Sequence, residues 1–205
     1  MTGKDPGSNA RSGVNRRAFL KGSGAVAAAT ALHQAELAKA QDEAAVVVRE
    51  STTIKLDVNG AEHTVKVEPR DTLLETLRYQ LDLTGAKPVS LDGSSGACTV
   101  LVDGKPMMAS LLLAVACQGK RIETVESLGG DKVDPVVRAF VTHDAEQCGF
   151  CTPGFVVAVR AFLNKNPKAT IDEIRAGLNG NICRCGTYAN VIQAAVAVVK
   201  GDVNG

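Results

Sequence analysis

Four of the six cysteines lie within thirty-eight residues, as Cys148-Gly149-Phe150-Cys151 and Cys183-Arg184-Cys185. Each set directly precedes a stretch of helical periodicity. After the first, Phe155, Val156, Val159, Phe162 and Leu163 form one apolar stripe, with Pro153 where a first helical turn tolerates it. After the second, Val191, Ile192, Ala195, Val196 and Val199 form another. A helix start presents unpaired N–H groups and a partial positive charge, which favour thiolates and an anionic centre. Four thiolates from two such starts can converge on one centre. On spacing alone, two disulfides or a structural zinc ion compete with that reading. Against them, a Cys-x-Cys disulfide closes a strained ring, and the same spacing is an unusual zinc half-site.

Two further helices share this half of the chain. Val136, Val137, Phe140 and Val141 make one stripe, and Ile171, Ile174 and Leu178 make another, opened by the Thr170-x-x-Glu173 capping box. Four short helices on tight connections predict a bundle over residues 133–202. Upstream the period is two. Ile54 to Val58 and Thr64 to Val67 alternate apolar and polar around Asn59-Gly60, a type I′ turn pair, and so predict a hairpin. Thr72-x-x-Glu75 opens a short helix with Leu73, Leu74 and Leu77 on its apolar face. Thr99 to Val102, Asp103-Gly104 and Lys105 onward predict a second hairpin, and Arg121 to Val125 a last strand. The fold class is therefore α+β, with a small sheet over residues 52–128 packed on one side by a helix.

The first forty residues read as an address. Arg16-Arg17 is followed by Ala18-Phe19-Leu20 and Lys21, then by an Ala-rich stretch from Gly22 to Leu32 and by Ala38-Lys39-Ala40, a small-x-small cleavage pattern. This resembles a Tat signal over residues 1–40, the twin-arginine route for proteins that fold before export, with a linker at 41–51. Export sharpens the cysteine question, because an oxidising compartment favours disulfides unless the thiols leave the cytoplasm already occupied. Composition removes other classes. The net charge of +1 offers no field for nucleic acid, aromatics are 3% with no Trp to stack bases, and no run of eighteen apolar residues could span a membrane. Nor is there a Gly-x-Gly-x-x-Gly element, P-loop or nucleophile elbow to support nucleotide, flavin or acyl-transfer chemistry.

Gln147-Cys-Gly-Phe-Cys-Thr-Pro-Gly154 and Gly180-Asn-Ile-Cys-Arg-Cys-Gly-Thr-Tyr188 resemble the iron–sulfur subunit of the xanthine oxidase and aldehyde oxidoreductase family of molybdenum hydroxylases. The resemblance extends over roughly residues 52–200. It implies a β-grasp, plant-ferredoxin-like domain followed by a four-helix domain, each built around a [2Fe–2S] cluster. It also implies that Cys148, Cys151, Cys183 and Cys185 bind the cluster nearest the molybdenum cofactor. Cys185 and Gln147 would lie closest to the pterin, which belongs to a separate large subunit. A flavin subunit or a c-type cytochrome would then accept the electrons.

The N-terminal site departs from that pattern. A plant-type [2Fe–2S] site takes C-x₄-C-x₂-C and a fourth cysteine further on. Here the corresponding positions are Ser90, Ser95, Cys98 and Ser110. A hydroxyl is far harder to deprotonate than a thiol and a harder donor than iron–sulfide chemistry prefers. Pro88 and Leu91 also differ from the family's loop, while Gly93 and Gly96 keep the residues its tight turns require. One cluster is expected, and the second is expected to be absent. Cys98 is expected to be an inert or loosely exposed thiol, Cys117 a small apolar core residue, and His63 and His143 surface or cap residues. The expected function is electron transfer in an exported molybdenum hydroxylase that oxidises aldehydes or N-heterocycles. The alternatives are an assembly subunit that binds the large subunit without passing electrons, and a free-standing zinc or disulfide protein.

Overall fold

A computed structural model of the chain describes residues 50–130 and 132–203. The expected signal and all but the end of the linker lie outside them. The chain enters as an antiparallel hairpin, β1 (Thr52–Val58) and β2 (Ala61–Val67), closed at Asn59 and Gly60 with φ of 54° and 80°. Both central residues of a type I′ turn need positive φ, and Asn-Gly supplies this at little cost. Helix α1 (Leu73–Tyr79) follows with its capping box formed: the Thr72 hydroxyl accepts from Glu75 N–H, and the Glu75 carboxylate from Thr72 N–H. A second hairpin, β3 (Thr99–Val102) and β4 (Lys105–Met108), turns at Asp103-Gly104. The last strand, β5 (Arg121–Glu123), ends two residues earlier than the sequence pattern predicts. Thr124 turns its backbone N–H to the Asn59 side chain, and Val125–Leu128 winds into a 3₁₀ turn.

The five strands lie in the order β2-β1-β5-β3-β4, with β5 parallel to β1 and every other pair antiparallel. Strand β3 is buried along its whole length. Side chains alternate across a strand. Val100 and Val102 therefore join Ile54, Leu56, Leu73, Leu77 and Ile122 in the core under α1, while Leu101 points to the opposite face, against Val157 and Ala161.

Those two residues belong to the long helix of the second half. Helices α2 (Pro135–Thr142), α3 (Thr152–Lys165), α4 (Ile171–Gly177) and α5 (Tyr188–Lys200) surround Phe155, Val159, Phe140, Ile174 and Val191. Helix α3 is buried on two sides, by α2 and α5 on one and by β3 on the other. One predicted stripe is corrected. Val141 is 78% exposed, and Ala139 takes the inward place beside Val136 and Phe140. A helix of eight residues gives too little periodicity to separate flank from core.

Helix α4 relies on its start. The Thr170 hydroxyl accepts from Glu173 N–H at 3.3 Å, and the Glu173 carboxylate accepts from Thr170 N–H at 2.7 Å. This last bond, and a second from the Thr170 hydroxyl, hold the Glu173 carboxyl below the usual carboxylate range. A depressed carboxylate stabilises the fold at neutral pH and ceases to do so as pH falls through its folded pKa. Thr170→Ala is expected to lower Tm by about 2–4 °C near pH 7. In melts recorded as pH falls through that folded pKa the difference from the wild-type chain should shrink.

Candidate metal centre

The two cysteine sets form loops at the starts of α3 and α5. Cys151 is the cap residue of α3, with Pro153 in the first turn, and Gly149 at φ 80° turns the chain between Cys148 and Cys151. Cys183 and Cys185 precede Thr187, the cap residue of α5, and Gly186 at φ 89° reverses the chain between them and the helix. The expectation that both sets sit at helix starts holds. The thiols meet in pairs across the loops, Cys151 with Cys183 on the inner side and Cys148 with Cys185 on the outer. Cys148 and Cys185 are exposed, Cys151 is half-buried and Cys183 is 6% exposed.

The inner pair divides the proton unequally. Burial pushes the Cys151 thiol up to about 12, helped by the hydrogen bond it shares with Cys183 and by the charge of that neighbour. Burial pushes Cys183 the same way. Hydrogen bonds from the Thr187 hydroxyl and backbone, from Cys151 and from the Gly186 backbone outweigh it and bring the thiol down to about 7. The Thr187 hydroxyl lies 3.2 Å from Cys183 Sγ, and Cys183 N–H donates to the Tyr188 hydroxyl at 2.8 Å. Cys183 is therefore the position best prepared to be a thiolate, and a thiolate is the form that binds metal. The ring of Tyr188 is in turn held edge-on to Phe155 at 6.0 Å.

Among the described residues no three Cys, His, Asp or Glu side chains converge on a single ion position. Two pairs of thiols offer four sulfur donors to a metal centre. The donor set is all sulfur, which matches iron–sulfide chemistry.

The N-terminal positions also come together two and two. Ser90 Oγ and Ser95 Oγ are 2.6 Å apart, and Ser95 N–H donates to Ser90 Oγ at 2.9 Å. Cys98 Sγ lies 3.2 Å from Ser110 Oγ. The expectation of a loosely exposed Cys98 is corrected. The thiol is fully buried beneath the sheet lobe, because β3 begins at the next residue and carries it inward. Cys117 is buried as expected, its thiol directed to the Leu113 carbonyl at 3.5 Å and raised by burial. His63 sits half-buried on β2, and His143 caps the end of α2. Gln147 is exposed beside Cys148. Asn181, Thr187 and Tyr188 were not singled out by sequence reasoning, although each contacts the second cysteine loop or its neighbours. The only signal was their place inside the Gly180–Tyr188 motif, which carries no role by itself.

A [2Fe-2S] binding domain model matches residues 124–196, which contain all four loop cysteines, and a twin-arginine translocation signal model matches residues 13–33. The aldehyde oxidoreductase iron-sulfur-binding subunit PaoA of Escherichia coli (strain K12) is 39% identical over 206 residues, covering 93% of this chain and 90% of that protein. The chain belongs to the iron–sulfur subunits of the molybdenum hydroxylases.

The nicotine 6-hydroxylase small subunit of Paenarthrobacter nicotinovorans is 41% identical over 70% of the chain and 87% of that protein. The crystal structure of quinoline 2-oxidoreductase from Pseudomonas putida 86 matches with a TM-score of 0.71 and 41% identity, over 74% of this chain and 96% of that one. The subunit is thus an iron–sulfur component of an oxidoreductase complex. The twin-arginine signal directs it to the periplasm, and among the described residues no helix is long and apolar enough to cross a membrane.

Proposed function

We propose that Cys148, Cys151, Cys183 and Cys185 hold a single [2Fe–2S] cluster, with Cys148 and Cys185 on one iron and Cys151 and Cys183 on the other. The observation that carries this reading is the two-and-two grouping of four thiols at two helix starts. When bound, the cluster supplies a one-electron relay between the molybdenum cofactor of the large subunit and an outside acceptor. The chain's own residues set its surroundings. The hydroxyl of Thr187 donates to the Cys183 sulfur, which stabilises the charged thiolate and the more negative reduced state. Tyr188 fixes the backbone that carries Cys183. Cys185 and Gln147 lie on the exposed side and face the pterin in the assembled complex.

The domain arrangement that goes with this reading is a β-grasp domain over residues 52–128 followed by a four-helix cluster domain over residues 133–202. The first of these has kept its frame and lost its cluster. Ser90 bonded to Ser95, and Cys98 bonded to Ser110, satisfy one another where a cluster would need thiolates. Without that second relay, the acceptor, a flavin subunit or a c-type cytochrome, must come within transfer range of the helical domain itself.

Iron and acid-labile sulfide in the purified complex should each come to about two per chain beyond any on the partner subunits. The reduced complex should give one rhombic [2Fe–2S] EPR signal from this chain. Four irons and two signals from it would overturn the lost-cluster reading. Zinc in place of iron would overturn the assignment of the cysteines.

A further inference from the structure

The peptide at Gly96, in the serine loop, touches both cysteine loops. Its carbonyl oxygen accepts three hydrogen bonds, from Thr99 N–H at 3.1 Å, from Thr99 Oγ1 at 2.6 Å and from Asn181 Nδ2 at 2.9 Å. Asn181 stands two residues before Cys183 and is 7% exposed, and its Nδ2 also reaches Thr99 Oγ1 at 3.3 Å. The next residue, Ile182, donates its N–H to the Ser95 carbonyl at 2.9 Å. The second cysteine loop is thus bonded to the serine loop at two successive residues.

The first turn of α3, directly after the first cysteine loop, meets the same peptide by packing. Gly154, three residues past Cys151, lies against it, and a Cβ at that position would collide with the Gly96 carbonyl oxygen. Gly96 itself has φ of 68°, and a Cβ on it would run into the Gly180 carbonyl and the Asn181 side chain. Two glycines and one buried amide therefore fix how closely the loops carrying Cys151 and Cys183 approach. A buried carbonyl that accepts from three donors is costly to disturb, because each donor lost its water on folding.

We propose that the serine loop is retained as the frame of the remaining centre, and that Asn181 is the positioning residue through which it sets the separation of the two cysteine loops. This rests on the reading that the four cysteines hold a cluster. It explains why a loop lacking two of its three ligands still has the glycines of its tight turns. Its shape is needed by the neighbouring site.

The test uses the assembled complex carrying Asn181→Ala or Thr99→Val, with Asn59→Ala as control. Asn59 exchanges two side-chain hydrogen bonds with Thr124, at 2.9 and 2.8 Å, away from Gly96. Two quantities are read: the g-values of the reduced cluster and the rate of iron release to a chelator. Asn181→Ala should shift the g-values and speed release roughly tenfold. Thr99→Val, which keeps its shape, should move both in the same direction by less. Asn59→Ala should lower Tm and leave both unchanged. Wild-type g-values and release rates in Asn181→Ala and Thr99→Val would overturn the proposal, as would the same changes in Asn59→Ala. Should Asn181→Ala fail to fold, Thr99→Val decides. A wild-type complex with no cluster signal from this chain defeats the underlying reading, whereas a normal signal indifferent to Asn181 defeats this inference alone.

Discussion

Cys183→Ser should strip the subunit of its iron and sulfide and bring dye-linked turnover of the complex close to zero. The site chosen is the one most prepared for a thiolate: buried, taking a hydrogen bond from the Thr187 hydroxyl, and with its thiol brought down to about 7 against the opposing pull of burial. A serine there keeps the shape and cannot form the anion at working pH. The loss should exceed the ~10–100-fold that removing an outer partner of a metal ligand costs. Thr187→Val provides that smaller comparison, because it deletes the donor and keeps the sulfur. Cys117→Ser is the control: its thiol lies in the core of the sheet lobe, away from both loops, so both irons should remain. Iron content, visible absorption and turnover of the three variants settle the order. Unchanged turnover in Cys183→Ser would mean that the chain assists assembly and carries no electrons.

The sequence exposed most where a side chain's role is local. Both hairpin turns, both capping boxes and the placement of the cysteine loops before helices follow from residues within a few positions of each other. What was illegible is non-local. Nothing near Arg121–Glu123 announces that β5 inserts between β1 and β3, because that register is set by Asn59 and Asp103 across the fold. The burial of Cys98 was hidden for the same reason, since a four-residue strand buried on both faces has no alternation to read. At the site, the cysteines were plain and their pairing was not. Spacing in the chain says which thiols are neighbours in sequence, while the inner pair, Cys151 with Cys183, is made by how α3 and α5 start side by side. Asn181 was invisible because its partner, Gly96, is eighty-five residues away.

Ser90→Cys, Ser95→Cys and Ser110→Cys together should return a second cluster to the sheet lobe. The frame for it is present. Ser90 already meets Ser95, and Cys98 already meets Ser110, the two-and-two grouping that a [2Fe–2S] centre takes. Gly93 and Gly96 hold φ of 72° and 68°, so the loop's tight turns are made without strain. The residues that depart from the family do not fill the space between the pairs, for Leu91 is 74% exposed and Pro88 is exposed as well. If the retained loop is the frame of the other centre, its shape has been preserved for a reason independent of its own lost ligands. Iron and sulfide should rise from about two to about four per chain, with a second EPR signal beside the first. Ser110→Cys alone gives only two thiols, Cys98 and the new one, and should leave the count at two. A folded triple variant that still holds two irons would show that the loop has closed beyond recovery. A wild-type chain that already holds four would show that serine hydroxyls can serve where thiolates were thought necessary.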